Sequence, residues 1–241
     1  RLKAMLENMR RGAAAYEYDM GFVRSLELPN QPPARQALFC LPGRGTIWAA
    51  PYWEQAWRRN YAVLKMLNVG YTDASVQPAV VTPARPVYRV FASNEGKCAR
   101  RASATPFACL PASTYVARGL QVRLTVNLLG ELGQEWGLVN GKIGVIVEVI
   151  YDAADCPPGK RHLPIIVMVE FADYVGPAWL ADRPKVFPIV PIRRPGDCKC
   201  KCERRMLPLQ VAEGTSIHSL QGMTIGEACD EKDAHGQPLC D

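Results

Sequence analysis

The sequence predicts an α/β domain interrupted by a small, β-rich block, and three observations predict it. Near the N-terminal side, the apolar run Ala37-Leu38-Phe39-Cys40-Leu41 has the length of a strand. It is broken by Pro42-Gly43-Arg44-Gly45 and followed by a helical pattern from Trp48 to Leu67. In the middle, from Tyr115, four or five short runs rich in Val and Ile sit between Gly and Pro punctuation, the texture of a small barrel. Near the C-terminal side, Leu207, Leu209 and Val211 lead into Gly214-Thr215-Ser216, then Ile217-His218-Ser219-Leu220-Gln221 and Gly222. That last stretch reads as strand, tight loop and short helix, with Thr215 or Ser216 as N-cap and Gly222 as the stop. A helix opening on small hydroxyl residues presents backbone N–H groups that bind phosphate.

In order, Arg1 to Gly12 is an amphipathic helix with Leu2, Met5, Leu6 and Met9 on one face. A second helical stretch covers Asp19 to Leu28, and Pro29 to Arg35 is a linker or turn. In the helix from Trp48, the tryptophans Trp48, Trp53 and Trp57 offer rings for stacking on bases, though core packing is the expected job. Gly43-x-Gly45 lacks the third glycine of a dinucleotide fingerprint. Residues 69–111 form an irregular, Pro-rich connection with one strand within Val87 to Ala92. Leu120 to Val126 alternates apolar and polar residues, as a half-buried strand does. Asn140-Gly141 is a turn, and Ile143 to Tyr151, Leu163 to Phe171 and Val186 to Ile192 are further strands. The chain therefore divides into residues 1–114, a β block at 115–195, and a return at 196–241.

The 241 residues carry a net charge of +6, which permits an anionic partner without proving one. Basic residues cluster between Arg85 and Arg123 and again from Arg193 to Arg205, where Arg204 and Arg205 lie. Solvated loops and a phosphate-tracking groove both fit these clusters. Nine scattered cysteines imply a reducing compartment with mostly free thiols. Cys198-Lys199-Cys200-Lys201-Cys202 alternates in a way that suits a soft metal, but no Cys-x-x-Cys pair exists, so a Cys- and Lys-rich surface loop is expected and no metal site is assigned. No apolar run is long enough to span a membrane.

The order of the pieces resembles the C-terminal half of the Pif family of DNA helicases, the RecD-like branch of superfamily 1. Arg1 to Gly12 with Asp19 to Leu26 is similar to the helical segment before that family's second motor domain. Ala37 to Leu41 with the following helix resembles its motif IV strand and helix, and Asn60 fits the asparagine near that helix's end. Arg118-Gly119-Leu-Gln-Val-Arg-Leu-Thr-Val-Asn127 and Gly137-Leu-Val-Asn140-Gly141-Lys-Ile-Gly144-Val-Ile-Val147 resemble the two pieces that open the family's SH3-like insert. Ser216-Ile217-His218 and Gln221-Gly222-Met223-Thr224 match motif V, while Ser219 and Leu220 stand where Lys and Ser are usual and Glu213-Gly214 replaces small or aromatic residues.

The resemblance implies part of a RecA-like second motor domain with an inserted SH3-like barrel, in a 5′-to-3′ ATP-dependent helicase that grips single-stranded DNA. It implies DNA contacts from Thr215, Ser216, His218, Arg118, Arg123 and Lys142, and nucleotide contacts from Gln221 and Gly222. ATP and Mg²⁺ would be the cofactors of the full-length parent, and an N-terminal motor domain of that parent would be the missing partner. Arg1 is not an initiator Met, which fits a piece of a longer chain. No Gly-x-x-x-x-Gly-Lys-Ser/Thr loop and no Asp-Glu pair for Mg²⁺ before motif IV occur in the sequence. The family's "valSR" arginine, expected beyond Gly226, is also absent, so no catalytic residue is assigned and the 241 residues are not expected to hydrolyse ATP alone. The rival expectation is a non-catalytic nucleic-acid-binding protein derived from such a helicase. The expected location is nuclear, with mitochondrial and cytoplasmic as alternatives.

Overall fold

A computed structural model of the chain describes residues 41–43, 47–73, 78–152, 163–197 and 201–220. The helices expected in Arg1 to Gly12 and Asp19 to Leu28 fall outside the described residues, as does most of the Ala37 to Leu41 run. So do Arg44, Cys198, Cys200, Gln221 and Gly222.

The first described strand, β1 (Trp48–Ala50), precedes helix α1 (Trp53–Val69). The sequence pattern starts the helix at Trp48, and Pro51 explains the difference. A residue before proline is pushed out of the α region, so Ala50 stays extended and the helix begins beyond the proline. Tyr52 caps it in a β conformation with no side-chain bond, and Gly70 ends it at φ +89°. The face of α1 carrying Ala56, Asn60, Val63, Leu64 and Leu67 is buried.

Residues 69–111 are more regular than their prolines imply. They hold β2 (Tyr71–Asp73), β3 (Val80–Thr82), β4 (Tyr88–Phe91), β5 (Ser93–Glu95) and a 3-10 turn at Thr105–Phe107. The prolines sit between these strands or at their ends, where no ladder N–H is required. β6 (Ser113–Val116) pairs with β4, and β7 (Gln121–Leu124) follows. A short helix, α2 (Gly130–Glu135), leads to β8 (Ile143–Ile150), then β9 (Ile166–Glu170) and β10 (Val186–Ile189). The expected run from Val186 to Ile192 is split, because Ile192 opens a separate strand, β11 (Ile192–Pro195). β12 (Glu203–Met206), β13 (Leu209–Val211), β14 (Gly214–Ser216) and a 3-10 turn at Ile217–Leu220 complete the described chain.

The largest sheet is antiparallel, in the order β10-β9-β8-β7-β13. Its bulge lies in β8 between Ile146 and Glu148. Four of its strands come from the β block, and β13 adds a fifth from the stretch that leads to β14. Among the described residues no ladder joins β10 to β13. A second sheet, β11-β12-β5, ties the Pro-rich stretch to the basic run near Arg204. Leu120, Val122, Leu124, Ile146, Val169 and Leu209 form the heart of the core between these parts.

β1 and β14 make the parallel pair of the α/β portion, with Trp48 opposite Gly214 and Ala50 opposite Ser216. Parallel neighbours require a crossover. Here α1 begins the crossover and residues 70–213 are inserted before β14 returns. The inserted sheets are thereby bound directly to the strand that carries Thr215.

Candidate nucleic-acid interface

The site is assembled around β14. Asn60, buried on α1, pairs with both the N–H and the carbonyl of Gly214. Its Nδ2 donates to the Gly214 carbonyl at 3.0 Å, and its Oδ1 accepts the Gly214 N–H at 2.6 Å. The asparagine singled out in the sequence is therefore the link between helix and strand. A Cβ at Gly214 would stand 2.6 Å from the Ala56 carbonyl, so close approach of α1 requires glycine there.

Glu213, one residue earlier, is buried at 2 % exposure. Its Oε1 accepts the N–H of Gly43 at 3.0 Å and that of Gln121 at 3.1 Å. The Trp48 N–H donates to its carbonyl at 3.0 Å. Burial pushes the Glu213 carboxyl up, opposed by its two backbone donors and by the charge of Arg59. One side chain thus fastens the glycine turn near Gly43 to β7 and β14. Sequence reasoning noted Glu213 only as a departure from the family pattern. Gly43 itself needs glycine, since φ is +65° and a Cβ would lie 2.5 Å from the Gly119 carbonyl.

Thr215 and Ser216 are strand residues, each 4 % exposed, rather than the free N-cap of an α-helix. The pairing with β1 runs from Gly214 through Ser216, so these residues stay extended where their composition implies a loop. Ser216 Oγ lies 2.9 Å from Ser219 Oγ, closing the 3-10 turn that follows. Thr215 Oγ1 accepts a long hydrogen bond from Arg123 Nη1 at 3.4 Å.

Arg123 on β7 is the centre of the arrangement. Its Nε and Nη2 donate to Gln210 Oε1 at 3.3 and 2.9 Å, and Gln210 stands opposite it on β13. Its guanidinium lies over the Trp53 ring, 5.3 Å from the centroid. Burial lowers its pKa, but a guanidinium keeps its charge at neutral pH. A cleft of about 580 Å³ opens beside it, lined by Arg123, Thr125, Asn140, Gly141, Gln210 and Thr215 among others. Thr125 Oγ1 is buried there without a hydrogen-bond partner. The Asn140 N–H is held by Asn127 Oδ1 at 2.7 Å, which fixes the Asn-Gly turn at the cleft wall. Two stretches distant in sequence, the one ending at Asn127 and the one containing Thr215, therefore meet at one cleft.

The remaining candidates stand elsewhere. Lys142 is paired with Asp173, and this bond and charge hold the Asp173 carboxyl below its usual range. Arg118 is exposed, and its carbonyl accepts a bond from Arg85 Nη1 at 3.1 Å. His218 is exposed on the 3-10 turn. Gln221 and Gly222 lie outside the described residues.

Arg204 corrects the sequence reading of the second basic cluster, which placed it in a solvated loop or phosphate groove. It is fully buried on β12. It donates to Asn94 Oδ1 and to the carbonyls of Ala99, Ala102, Ser103 and Leu110, at 2.7 to 3.0 Å, and lies over the Phe107 ring. No group of His, Cys, Asp and Glu able to hold a metal occurs among the described residues, and none of their helices is long and apolar enough to cross a membrane.

No protein-family model matches the chain, and no curated protein does. Solved structures do. The chain is similar to a structure described as the basis for DNA unwinding at forked double-stranded DNA by two coordinating Pif1 helicases. The TM-score is 0.52 and the identity 13 %, over 92 % of this chain and 38 % of that one. A Pif1 helicase from Bacteroides in complex with ADP-AlF3 and single-stranded DNA gives a TM-score of 0.52 and 12 % identity, over 92 % of this chain and 40 % of that one. The chain thus has a Pif1-like, RecA-type α/β fold, and spans about two fifths of the length of the structures it matches.

Proposed function

We propose that the chain is part of the second motor domain of an ATP-dependent 5′-to-3′ DNA helicase, in which the cleft at Arg123 grips the phosphates of a single strand. The observation that carries this reading is the meeting of Arg123, Thr215 and the Asn140-Gly141 turn at one cleft, in a chain of Pif1-like fold. A guanidinium offers five N–H donors. Gln210 and Thr215 take three of these, positioning the fork while leaving the rest for an anionic oxygen. Thr215 serves here by orienting Arg123. Arg118 and His218 are candidates for contacts further along the strand, and Lys142 for one that competes with Asp173.

ATP and Mg²⁺ belong, in this reading, to the longer protein, where Gln221 and Gly222 lie toward the nucleotide. Residues 115–195 correspond to the SH3-like insert, flanked by portions of the motor domain at 1–114 and 196–241. Asn60 and Glu213 then have a mechanical role. They lock α1, the Gly43 turn and β7 to the strand beside the cleft, so a displacement of the motor domain is transmitted to the phosphate grip.

A second reading has its own observation. Ser219, where the family's lysine is usual, turns its hydroxyl toward Ser216 and brings no charge. This favours a helicase-derived protein that binds nucleic acid without translocating. Binding to fluorescent single-stranded oligonucleotides tests the shared core of both readings. Affinity should fall steeply with salt and be insensitive to sequence. Changing Thr215 and Ser216 together to Ala should weaken it more than Arg44→Ala. No binding at low salt contradicts both. DNA-stimulated ATP hydrolysis by the longer protein separates the motor from the binding protein.

A further inference from the structure

We propose that the solvent-facing aromatic stripe of α1, made by Trp53, Trp57 and Tyr61, is a stacking platform for the bases of a single nucleic-acid strand. The proposal rests on the reading of the neighbouring cleft as a phosphate site. The three residues are four apart, so they form one line along the helix, beside the face that packs inward. Core packing is the job expected of these tryptophans from sequence, yet Trp53 is 43 % exposed, Trp57 44 % and Tyr61 54 %. Trp48 and Tyr52 extend the exposed aromatic surface at the N-terminal end of the helix.

Two of the rings, Trp53 and Trp57, are held against neighbours. Trp57 packs against Tyr115 of β6 with centroids 5.9 Å apart, and Arg89 lies 5.8 Å from the Tyr115 centroid. Trp53 is covered on one side by Arg123. That contact makes the stripe continuous with the cleft, since the same guanidinium lines both. A strand whose phosphate sits at Arg123 has its bases within reach of Trp53 and then Trp57.

Tryptophan, tyrosine and arginine also make protein hot spots, so composition alone does not choose the occupant. Charge and continuity do. Arg58, Arg59, Lys65, Arg89 and Arg123 stand on or beside the stripe, and the one acid on the helix, Glu54, is paired with Arg58 at 2.7 Å. A net positive surface carrying flat rings matches a polyanion whose bases each have a π face.

The test uses the intact chain, oligothymidylate as probe, and the variants Trp57→Ala, Trp57→Phe and Tyr61→Ala, with thermal melting to verify folding. Loss of one ring should weaken binding roughly tenfold with the salt slope unchanged, because stacking releases no counterions. Trp57→Phe should retain most of the affinity, and tryptophan emission should be quenched by the probe in the parent chain. If Trp57→Ala unfolds, Tyr61→Ala decides. Parent-like affinity in the Ala variants, with Arg123→Ala weakened, overturns the platform and leaves the phosphate site standing. Loss of self-association instead of DNA binding assigns the stripe to a second copy of the chain and also overturns it. Absence of binding by the parent chain overturns both.

Discussion

Two arginines on strands of different sheets, Arg204 on β12 and Arg123 on β7, show how differently one side chain is used in this fold. Arg204 is fully buried, and its five hydrogen bonds use every N–H donor of the guanidinium. Four of the acceptors are carbonyls of residues 99–110, a stretch with little regular structure to satisfy them. Arg204 therefore replaces a sheet ladder as the organiser of that stretch, and nothing remains for a ligand. Arg123 is half-buried at a cleft, is held by Gln210 and Thr215, and keeps donors to offer. The lesson is that charge density along the sequence does not locate a binding surface. Saturation of donors separates the structural arginine from the one that can receive an anion.

The largest expected effect breaks the comparison on the structural side. Arg204→Ala removes five hydrogen bonds and strands buried carbonyls, and should destabilise the fold by about 3–5 kcal/mol in denaturant unfolding. Arg123→Ala should cost only about 1 kcal/mol, because Gln210 is only half-buried and the bond to Thr215 is long, at 3.4 Å. Equal losses would mean that Arg123 is structural too.

An effect smaller than that of Arg204 concerns Glu213, which also ties segments together through its buried side chain. Burial raises its folded pKa above the unfolded value, so the folded state holds the proton more tightly. The stabilisation from the protonated form is full below the ordinary glutamate pKa and is lost as pH rises through the raised value. Glu213→Gln keeps an oxygen for the Gly43 and Gln121 N–H groups without the charge. Its stability relative to the parent chain should therefore improve as pH climbs through that window. Glu213→Ala should lose about 1–3 kcal/mol at any pH, because two N–H groups lose their acceptor. If the Gln variant is as damaged as the Ala variant at neutral pH, the charge facing Arg59 is what the fold requires.

What the sequence made legible is local. The periodicity of α1, the position of β7, the turn at Asn140-Gly141 and the glycine before Thr215 are all properties of short windows, and each stands near its expected place. But Leu120 to Val126 is not the half-buried strand its alternation predicts, because Gln121 and Thr125 are buried along with the apolar residues. Asn60 was recognisable as a position, but its partner 154 residues away was not. Arg204, Glu213 and Gln210 were invisible as working parts because burial of a polar side chain depends on contacts across the chain. The exposed tryptophans reversed an expectation for the same reason. Helical spacing says which residues share a face, and only the packing of neighbours says whether that face is covered.

If Arg123 holds a phosphate of a single strand, the salt dependence of oligonucleotide affinity reports that contact. Each phosphate contact contributes about −0.7 to the slope of log affinity against log salt for a single strand. Removing one cationic contact should lower affinity for all sequences alike and reduce the slope magnitude by about one contact's worth. Arg123→Gln should therefore bind more weakly with a shallower slope, while the melting temperature stays near that of the parent chain. An unchanged affinity and slope in a folded Arg123→Gln protein would mean that Arg123 holds no phosphate.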